Sequence, residues 1–199
     1  MMHRRFAIPV LVVSLALAAC RRDPPPPPAP TGPTAEELAR MRADSIARAE
    51  AAARAAAEAA AQREAEARAQ RMAAARATLE EMVFFDYDMS EIRSDAQGVL
   101  RQKIEVLRAS PQVQLRIEGH ADERGSTEYN LALGSRRADS VRQFLANFGL
   151  AAGRFATVSY GEERPMVAGS SESAWARNRR AEFAITAGAD QIMITSMAP

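Results

Sequence analysis

Asp122 and Arg137 have the side-chain types and the spacing to act together. Asp122 lies in a polar loop over residues 119–126, and Arg137 lies nearly three turns into the helix that should follow. Such a loop can fold back over the helix and bring the carboxylate towards the guanidinium, which binds carboxylates through two parallel hydrogen bonds. From the residues alone, an ordinary salt bridge between loop and helix is favoured, and a site for a charged ligand is the alternative.

His120 is the residue most suggestive of a metal site, because Asp122 and Glu123 flank it. The other histidine and the single cysteine, His3 and Cys20, lie far away in the chain, so the usual set of nitrogen and sulfur ligands is missing. We therefore expect no metal and no cofactor. No nucleophile has a positioned base, and no carboxylate pair has the spacing for glycoside hydrolysis, so we also expect no enzyme.

Length, net charge and cysteine count limit the classes of protein to which the chain can belong. The 199 residues carry 26 Lys and Arg against 25 Asp and Glu, a formal net charge of +1. This length allows one domain with an appendage or two small domains. The balanced charge argues against binding to nucleic acid, and a single cysteine excludes an internal disulfide. Lys103 is the only lysine, so nearly all positive charge is arginine.

The first segment, residues 1–19, is predicted to be a signal peptide. Arg4 and Arg5 precede an apolar run that is too short to cross a hydrocarbon core of about 30 Å. The run ends in Leu-Ala-Ala before Cys20, and this sequence resembles the bacterial lipobox. The resemblance implies acylation of Cys20, and Arg21 in the next position implies sorting to the outer membrane. We expect a lipid-anchored chain that faces the periplasm.

Two spacer segments follow. Residues 20–33 hold the lipidated Cys and a proline run that favours extended polyproline II. Residues 34–82 contain no Gly or Pro and are rich in Ala, Arg and Glu, and Thr34 with Glu37 forms a capping box, so we expect one helix of about 70 Å. Its few large apolar residues keep no heptad, which favours a lone helix over a self-associating stalk.

Residues 83–187 form the segment able to bury a core, with a tail at 188–199. Alternating and helical patterns predict strands that alternate with helices, an α/β sandwich with helices packed over one sheet. The predicted strands are 83–86, 113–118, 155–160 and 181–186, and the predicted helices are 94–109, 127–148 and 174–178.

Several motifs in this segment occur in a recognisable order. They are Gly119-His120-Ala121-Asp122-Glu123-Arg124-Gly125, Arg136-Arg137-Ala138, Val158-Ser159-Tyr160-Gly161-Glu162 and Asn178-Arg179-Arg180-Ala181. Together they resemble the OmpA-like peptidoglycan-binding domain, most closely the peptidoglycan-associated lipoprotein (Pal) family of the Tol-Pal system. The resemblance implies an α+β sandwich with helices on a mixed four-stranded sheet. In this chain the Pro-rich linker and the long Ala-rich helix precede that domain.

The resemblance also implies a ligand, the meso-diaminopimelate of the peptidoglycan stem peptide. This amino acid carries an ammonium and a carboxylate on one side-chain carbon, so its receptor needs both a cation and an anion. By resemblance Asp122 and Arg137 are the clamp. Further family contact positions are matched by Arg124 and Arg179, and the pocket edge by Asp86 and Asp88. Tyr129 and Trp175 are expected to be packing anchors.

The function implied is a non-enzymatic tether from the outer membrane to peptidoglycan within the Tol-Pal system, with TolB as partner. Such a tether supports envelope integrity and constriction of the outer membrane at cell division. The predicted helix at 34–82 is longer than the usual Pal tether. This leaves an alternative, an OmpA-like lipoprotein that anchors a different envelope complex through its helical stalk.

Overall fold

The structure is a computed structural model that describes residues 32–193 of the chain. The predicted signal peptide, Cys20, most of the Pro-rich linker and residues 194–199 lie outside the described residues. The described residues divide into two units, with the boundary between Ala53 and Arg54. Between residues 32 and 193, no helix has an apolar stretch of the length needed to cross a bilayer.

The long Ala-rich helix is confirmed as α1, Ala35–Glu80. The predicted capping box begins it: the Glu37 amide donates to Thr34 Oγ1 at 3.2 Å, and Glu37 Oε2 accepts from the Thr34 amide at 2.7 Å. Glu36 and Arg40 form an i,i+4 pair at 2.7 Å. Most of α1 is exposed, as expected for a helix without an apolar stripe.

The predicted helices and mixed four-stranded sheet are confirmed. The strands are β1 (Val83–Phe84), β2 (Gln114–His120), β3 (Phe155–Gly161) and β4 (Arg180–Ala187), and the helices are α2 (Ser94–Ala109), α3 (Thr127–Asn147) and α4 (Glu172–Asn178). In the sheet order β1-β4-β2-β3, β2 pairs parallel with β3 and antiparallel with β4, and β1 pairs antiparallel with β4.

Strand β1 is shorter than the sequence pattern predicts, because the chain turns away after Phe84. The Phe85 amide still donates to the Arg179 carbonyl at 2.9 Å, outside the regular ladder. Asp88 then has a left-handed backbone with φ of 56°, an uncommon conformation for a residue other than glycine. The short strand therefore ends in a tight loop that carries Asp86 and Asp88.

The core lies on one face of the sheet and includes the end of α1. Leu115 and Ile117 of β2 point inward and are fully buried, as their alternation with polar residues predicts. Leu100 and Ile104 of α2 and Val141 and Leu145 of α3 cover them. Leu79, in the last turn of α1, is also fully buried in this cluster. The end of the spacer helix is thus part of the domain core.

Lys103 of α2 fixes the end of α1 from inside the core. Its buried Nζ donates to the carbonyls of Thr78 at 2.7 Å and Leu79 at 2.9 Å, which no residue of α1 can satisfy. The same Nζ lies 4.0 Å from the ring centroid of Phe183. Burial lowers the pKa of Lys103 to about 7, and the nearby Glu80 and Glu81 oppose that shift.

Two glycines set the distance between α3 and the sheet. A Cβ atom at Gly119 would overlap the carbonyl oxygen of Gly134, so β2 and α3 approach each other closely only without side chains at these positions. Gly134 precedes Arg137 by one helical turn, and Gly119 precedes His120 at the end of β2. The close approach therefore brings Arg137 to the carboxyl end of β2.

Replacing the core leucine of α1 should destabilise the domain. We expect Leu79→Ala to lower the free energy of unfolding by about 2–5 kcal/mol, because the substitution removes fully buried methyl groups and leaves a cavity. Leu38→Ala on the same helix should change it by less than about 0.5 kcal/mol, since Leu38 is exposed. Urea unfolding followed by Trp175 fluorescence measures both, and equal effects would place Leu79 outside the core.

Lys103 should make stability rise with pH. Its pKa is about 7 when folded and 10.5 as an ordinary lysine, so between these values the unfolded chain binds more protons. The free energy of unfolding then increases by up to about 1.4 kcal/mol per pH unit from this group. Lys103→Met should remove this increase, measured as the difference between wild type and variant in urea unfolding at several pH values above neutrality. Parallel pH profiles would contradict a depressed pKa.

Candidate functional site

A small polar pocket of about 130 Å³ lies at the carboxyl end of β2. The loop after β1, the loop after β2 and the first turns of α3 surround it. Its lining combines rings, carboxylates and guanidinium groups, from Tyr87, Asp88, Asp122, Arg124, Tyr129 and Arg137. Helix α3, which supplies Tyr129 and Arg137, is capped by Ser126, whose Oγ accepts from the Tyr129 amide at 3.3 Å.

Arg137 forms the floor of the pocket and is fully buried. It donates to three main-chain carbonyls, those of His120 at 2.7 Å, Met89 at 2.8 Å and Asp86 at 3.1 Å. Burial lowers its pKa to about 10, which still leaves the guanidinium charged at neutral pH. Among residues 32–193, no carboxylate forms an ion pair with Arg137, that is, none has an oxygen within 4.0 Å of its guanidinium nitrogens. The floor is therefore a buried cation bound only by neutral groups.

Asp122 pairs with two other arginines rather than with Arg137. Its Oδ1 accepts from Arg124 Nε at 3.0 Å, and its Oδ2 accepts from Arg124 Nη2 at 2.7 Å and from Arg179 Nη1 at 3.3 Å. Burial raises the pKa of this carboxyl, but the hydrogen bonds from Arg124 and Arg179 outweigh that effect and hold it below the ordinary value. The direct salt bridge that the residues alone favoured is absent here.

Arg124 and Arg179 connect the pocket wall to distant segments. The Arg124 guanidinium lies 4.0 Å from the ring centroid of Tyr87 and 4.1 Å from that of Trp175, a cation–π geometry. Arg179 is buried and donates to the Phe85 carbonyl at 3.1 Å and to Glu172 Oε1 at 2.8 Å. The two arginines therefore join the loop after β2 to the loop after β1 and to α4.

The structure separates the two aspartates that were expected at the pocket edge. Asp88 lines the pocket, and its carboxylate accepts a hydrogen bond from the Tyr129 hydroxyl. The carboxylate of Asp86 pairs instead with Arg93 at 2.8 Å, and only its main-chain carbonyl reaches Arg137. The predicted residues that line the pocket are thus Asp88, Asp122, Arg124 and Arg137.

Sequence reasoning missed the aromatic part of this site. Tyr129 was expected to be a packing anchor, but it is 44% exposed and borders the pocket. Trp175 stacks on Arg124, and its indole N–H donates to Glu123 at 3.0 Å. The position of Tyr129 in the sequence could have predicted this role. Tyr129 falls in the first turn of α3, next to the loop of Asp122, and it is not on the apolar face of that helix.

Comparison with known proteins identifies the domain that holds this pocket. A sequence profile of the OmpA family matches residues 84–179. The peptidoglycan-associated lipoprotein of Haemophilus influenzae is 46% identical over 102 residues, which cover 51% of this chain and 67% of that protein. The chain belongs to the OmpA family.

Other relatives of this OmpA-family chain carry the same name. The peptidoglycan-associated lipoprotein of Brucella melitensis is 50% identical over 101 residues, and the match spans 60% of that protein's length. The crystal structure of the peptidoglycan-associated lipoprotein from Burkholderia pseudomallei is 39% identical, with a TM-score of 0.52, and the match covers 54% of this chain and 91% of that one. The OmpA-like fold predicted from the sequence is confirmed.

Removing the charge of Asp122 should destabilise the domain. Asp122→Asn leaves the buried Arg179 and the stacked Arg124 without their shared carboxylate, and we expect a loss of about 3–5 kcal/mol in the free energy of unfolding. Asp86→Asn removes an exposed pair with Arg93 and should cost less than about 1 kcal/mol. Chemical unfolding at neutral pH compares the two variants.

The effect of Asp122 should also depend on pH in one direction. Its folded pKa lies below the ordinary 3.8, so the charged carboxylate stabilises the fold above that value and the contribution is lost as pH falls through the folded pKa. The stability gap between wild type and Asp122→Asn should therefore be full at neutral pH and shrink only in strong acid. A gap that already narrows well above that value would contradict the pairing.

Proposed function

We propose that this OmpA-family chain is a lipoprotein that binds peptidoglycan non-covalently and tethers the outer membrane to it. The observation that carries the proposal is Arg137, a buried cation without a carboxylate partner among residues 32–193, at the floor of a pocket of about 130 Å³. The names of its relatives, peptidoglycan-associated lipoproteins, support the same ligand. Diaminopimelate supplies the carboxylate that this cation lacks.

Arg137 has donor capacity left for that carboxylate. A guanidinium has five N–H groups, and three of them already donate to main-chain carbonyls. The two N–H groups that remain lie one on each terminal nitrogen. This arrangement suits a carboxylate that accepts one hydrogen bond through each oxygen. The three carbonyl bonds hold the guanidinium in one orientation, so little side-chain entropy is lost when the ligand binds.

The ammonium of the ligand faces the carboxylates of the pocket wall. Asp88 accepts a hydrogen bond from Tyr129 alone among the described residues, and it keeps an oxygen free for an ammonium. Asp122 is the second carboxylate, and it is already bound by Arg124 and Arg179. We infer that Asp122 contributes negative charge and fixes Arg124, while Asp88 makes the direct hydrogen bond.

At the other end of the chain we propose acylation of Cys20 and placement in the outer membrane, facing the periplasm. Many copies of the chain would then link the same membrane to the same peptidoglycan layer, so weak binding at each single site adds up to strong attachment. We also propose membership of the Tol-Pal system, with TolB as partner and a role in constriction at division. The role proposed is non-enzymatic, and turnover of purified cell wall by the chain would contradict it.

Pelleting with purified sacculi tests the ligand and its clamp. The full chain should pellet with sacculi of the diaminopimelate type, and free meso-diaminopimelate should compete. Arg137→Ala should weaken binding by at least about tenfold, because it removes a buried charge that faces the ligand. Arg142→Ala on the same helix, which removes only an exposed pair with Asp139, should bind like wild type.

Two further comparisons distinguish loss of ligand binding from loss of folding. Lysine-type sacculi lack the side-chain carboxylate, and they should bind poorly to the unaltered chain. Asp88→Asn at the exposed rim should weaken binding while circular dichroism stays unchanged. Equal pelleting with both types of sacculi would overturn the proposal.

The long exposed helix α1 favours a second candidate, a lipoprotein that anchors a different envelope complex through this stalk. Affinity capture with TolB as bait separates the two. Deletion within the first half of α1 leaves Ala75 and Leu79 in the core, so the domain is kept. TolB bound by wild type and by the deletion supports the Tol-Pal role, whereas partners captured only through the stalk support the alternative.

A further inference from the structure

A second cluster of ionisable groups lies on the face of the sheet opposite the core. Glu118 of β2 stands directly opposite Glu182 of β4 in the antiparallel register. His120 follows Glu118 by two residues and therefore projects from the same face. Two glutamates at directly opposite positions repel each other unless positive groups nearby neutralise them. The backbone of two paired strands holds all three side chains in place.

His120 has no hydrogen-bond partner although it is almost completely buried. It is 1% exposed, and neither Nδ1 nor Nε2 is hydrogen bonded. Its Nε2 lies 4.0 Å from Glu182 Oε1, and the Tyr160 ring, with centroids 5.5 Å apart, packs beside it. Buried polar groups in folded proteins nearly always have partners. The imidazole therefore faces the two carboxylates without a bond of its own.

The neighbouring arginines occupy only one oxygen of each glutamate. Arg116 directs Nε and Nη2 to Glu118 Oε1, at 2.7 and 2.6 Å. Arg180 directs the same two nitrogens to Glu182 Oε1, both at 2.6 Å. Oε2 of either glutamate accepts no hydrogen bond from any residue between 32 and 193. A carboxylate oriented in this way by an outer partner can bind a metal ion through its second oxygen.

We propose that Glu118, His120 and Glu182 bind a divalent transition-metal ion such as Zn²⁺. One ligand atom from each residue lies within 4.8 Å of the others. Tetrahedral coordination at bond lengths near 2.1 Å separates ligand atoms by roughly 3.4 Å, so side-chain movements of up to about 1.4 Å bring the three atoms to that spacing. One imidazole with two carboxylates suits Zn²⁺ better than Mg²⁺ or Ca²⁺, which prefer oxygen alone. Water completes the coordination.

The metals themselves are the probes in the test. The full chain, without a histidine tag and with Cys20→Ser so that no thiol competes, is titrated with Zn²⁺ by isothermal titration calorimetry. We expect one Zn²⁺ per chain, no comparable binding of Mg²⁺, and a higher melting temperature with Zn²⁺. Co²⁺ in place of Zn²⁺ should give the visible absorption of a tetrahedral site.

Matched variants assign the ligands. Glu182→Gln, Glu118→Gln and His120→Gln should each weaken Zn²⁺ binding by at least about tenfold. Glu105→Gln, an exposed glutamate of α2, and His3→Ala should leave it unchanged. Circular dichroism without metal checks that each variant folds, and Glu182→Gln is the least disruptive because Glu182 is half-buried. Absence of Zn²⁺ binding by the folded wild type, or binding that survives all three ligand variants, would overturn the proposal.

Discussion

The domain is organised around one buried charge. Arg137 cannot lose its proton at neutral pH, and it reaches its position only because Gly119 and Gly134 let α3 touch β2. Burying a guanidinium is costly unless its N–H groups have acceptors, and here three of the five donate to carbonyls from two separate segments. The loop after β1 and the end of β2 are consequently held in the positions that Arg137 requires.

The other charged side chains near Arg137 form ion pairs with one another. Asp122 is shared by Arg124 and Arg179, and Arg179 also bonds to Glu172, so a chain of alternating charge runs from the pocket wall to α4. Two aromatic rings, those of Tyr87 and Trp175, contact the Arg124 guanidinium. Such a network is rigid, because moving one member leaves another buried charge unsatisfied. A rigid receptor loses little entropy when it binds a small charged ligand.

Local pattern was enough to predict the elements but not their contacts. The helical spacing of Leu100, Ile104 and Leu107 predicted residues 94–109, and α2 has those bounds. Alternation predicted the strands, except for the end of β1, where the chain turns into the loop with a left-handed Asp88. Family motifs supplied Asp122 and Arg137 as candidates for the site.

Contacts between residues far apart in the chain could not be predicted from local sequence patterns. The bond between Arg179 and Asp122 joins residues 57 positions apart, and the carbonyls that bind Arg137 have no side-chain signature at all. Glu182 is brought to Glu118 by the register of β2 with β4, which no local pattern specifies. Leu79 was assigned to a spacer because the few large apolar residues of the Ala-rich helix keep no heptad, and its place in the core was not predicted.

If the chain is the tether proposed above, the burial of Leu79 and the bonds of Lys103 determine where force enters the domain. Tension that arrives along α1 enters the domain at its core rather than at a loose hinge. The next element along the chain is β1, which meets β4 at only two register positions, Val83 with Ala181 and Phe84 with Arg180. Against a steady pull, this ladder offers fewer backbone hydrogen bonds than the longer ladders of β2 with β3 and β4. Because Phe85 and Asp86 follow it directly and bond to Arg179 and Arg137, peeling β1 would loosen the pocket.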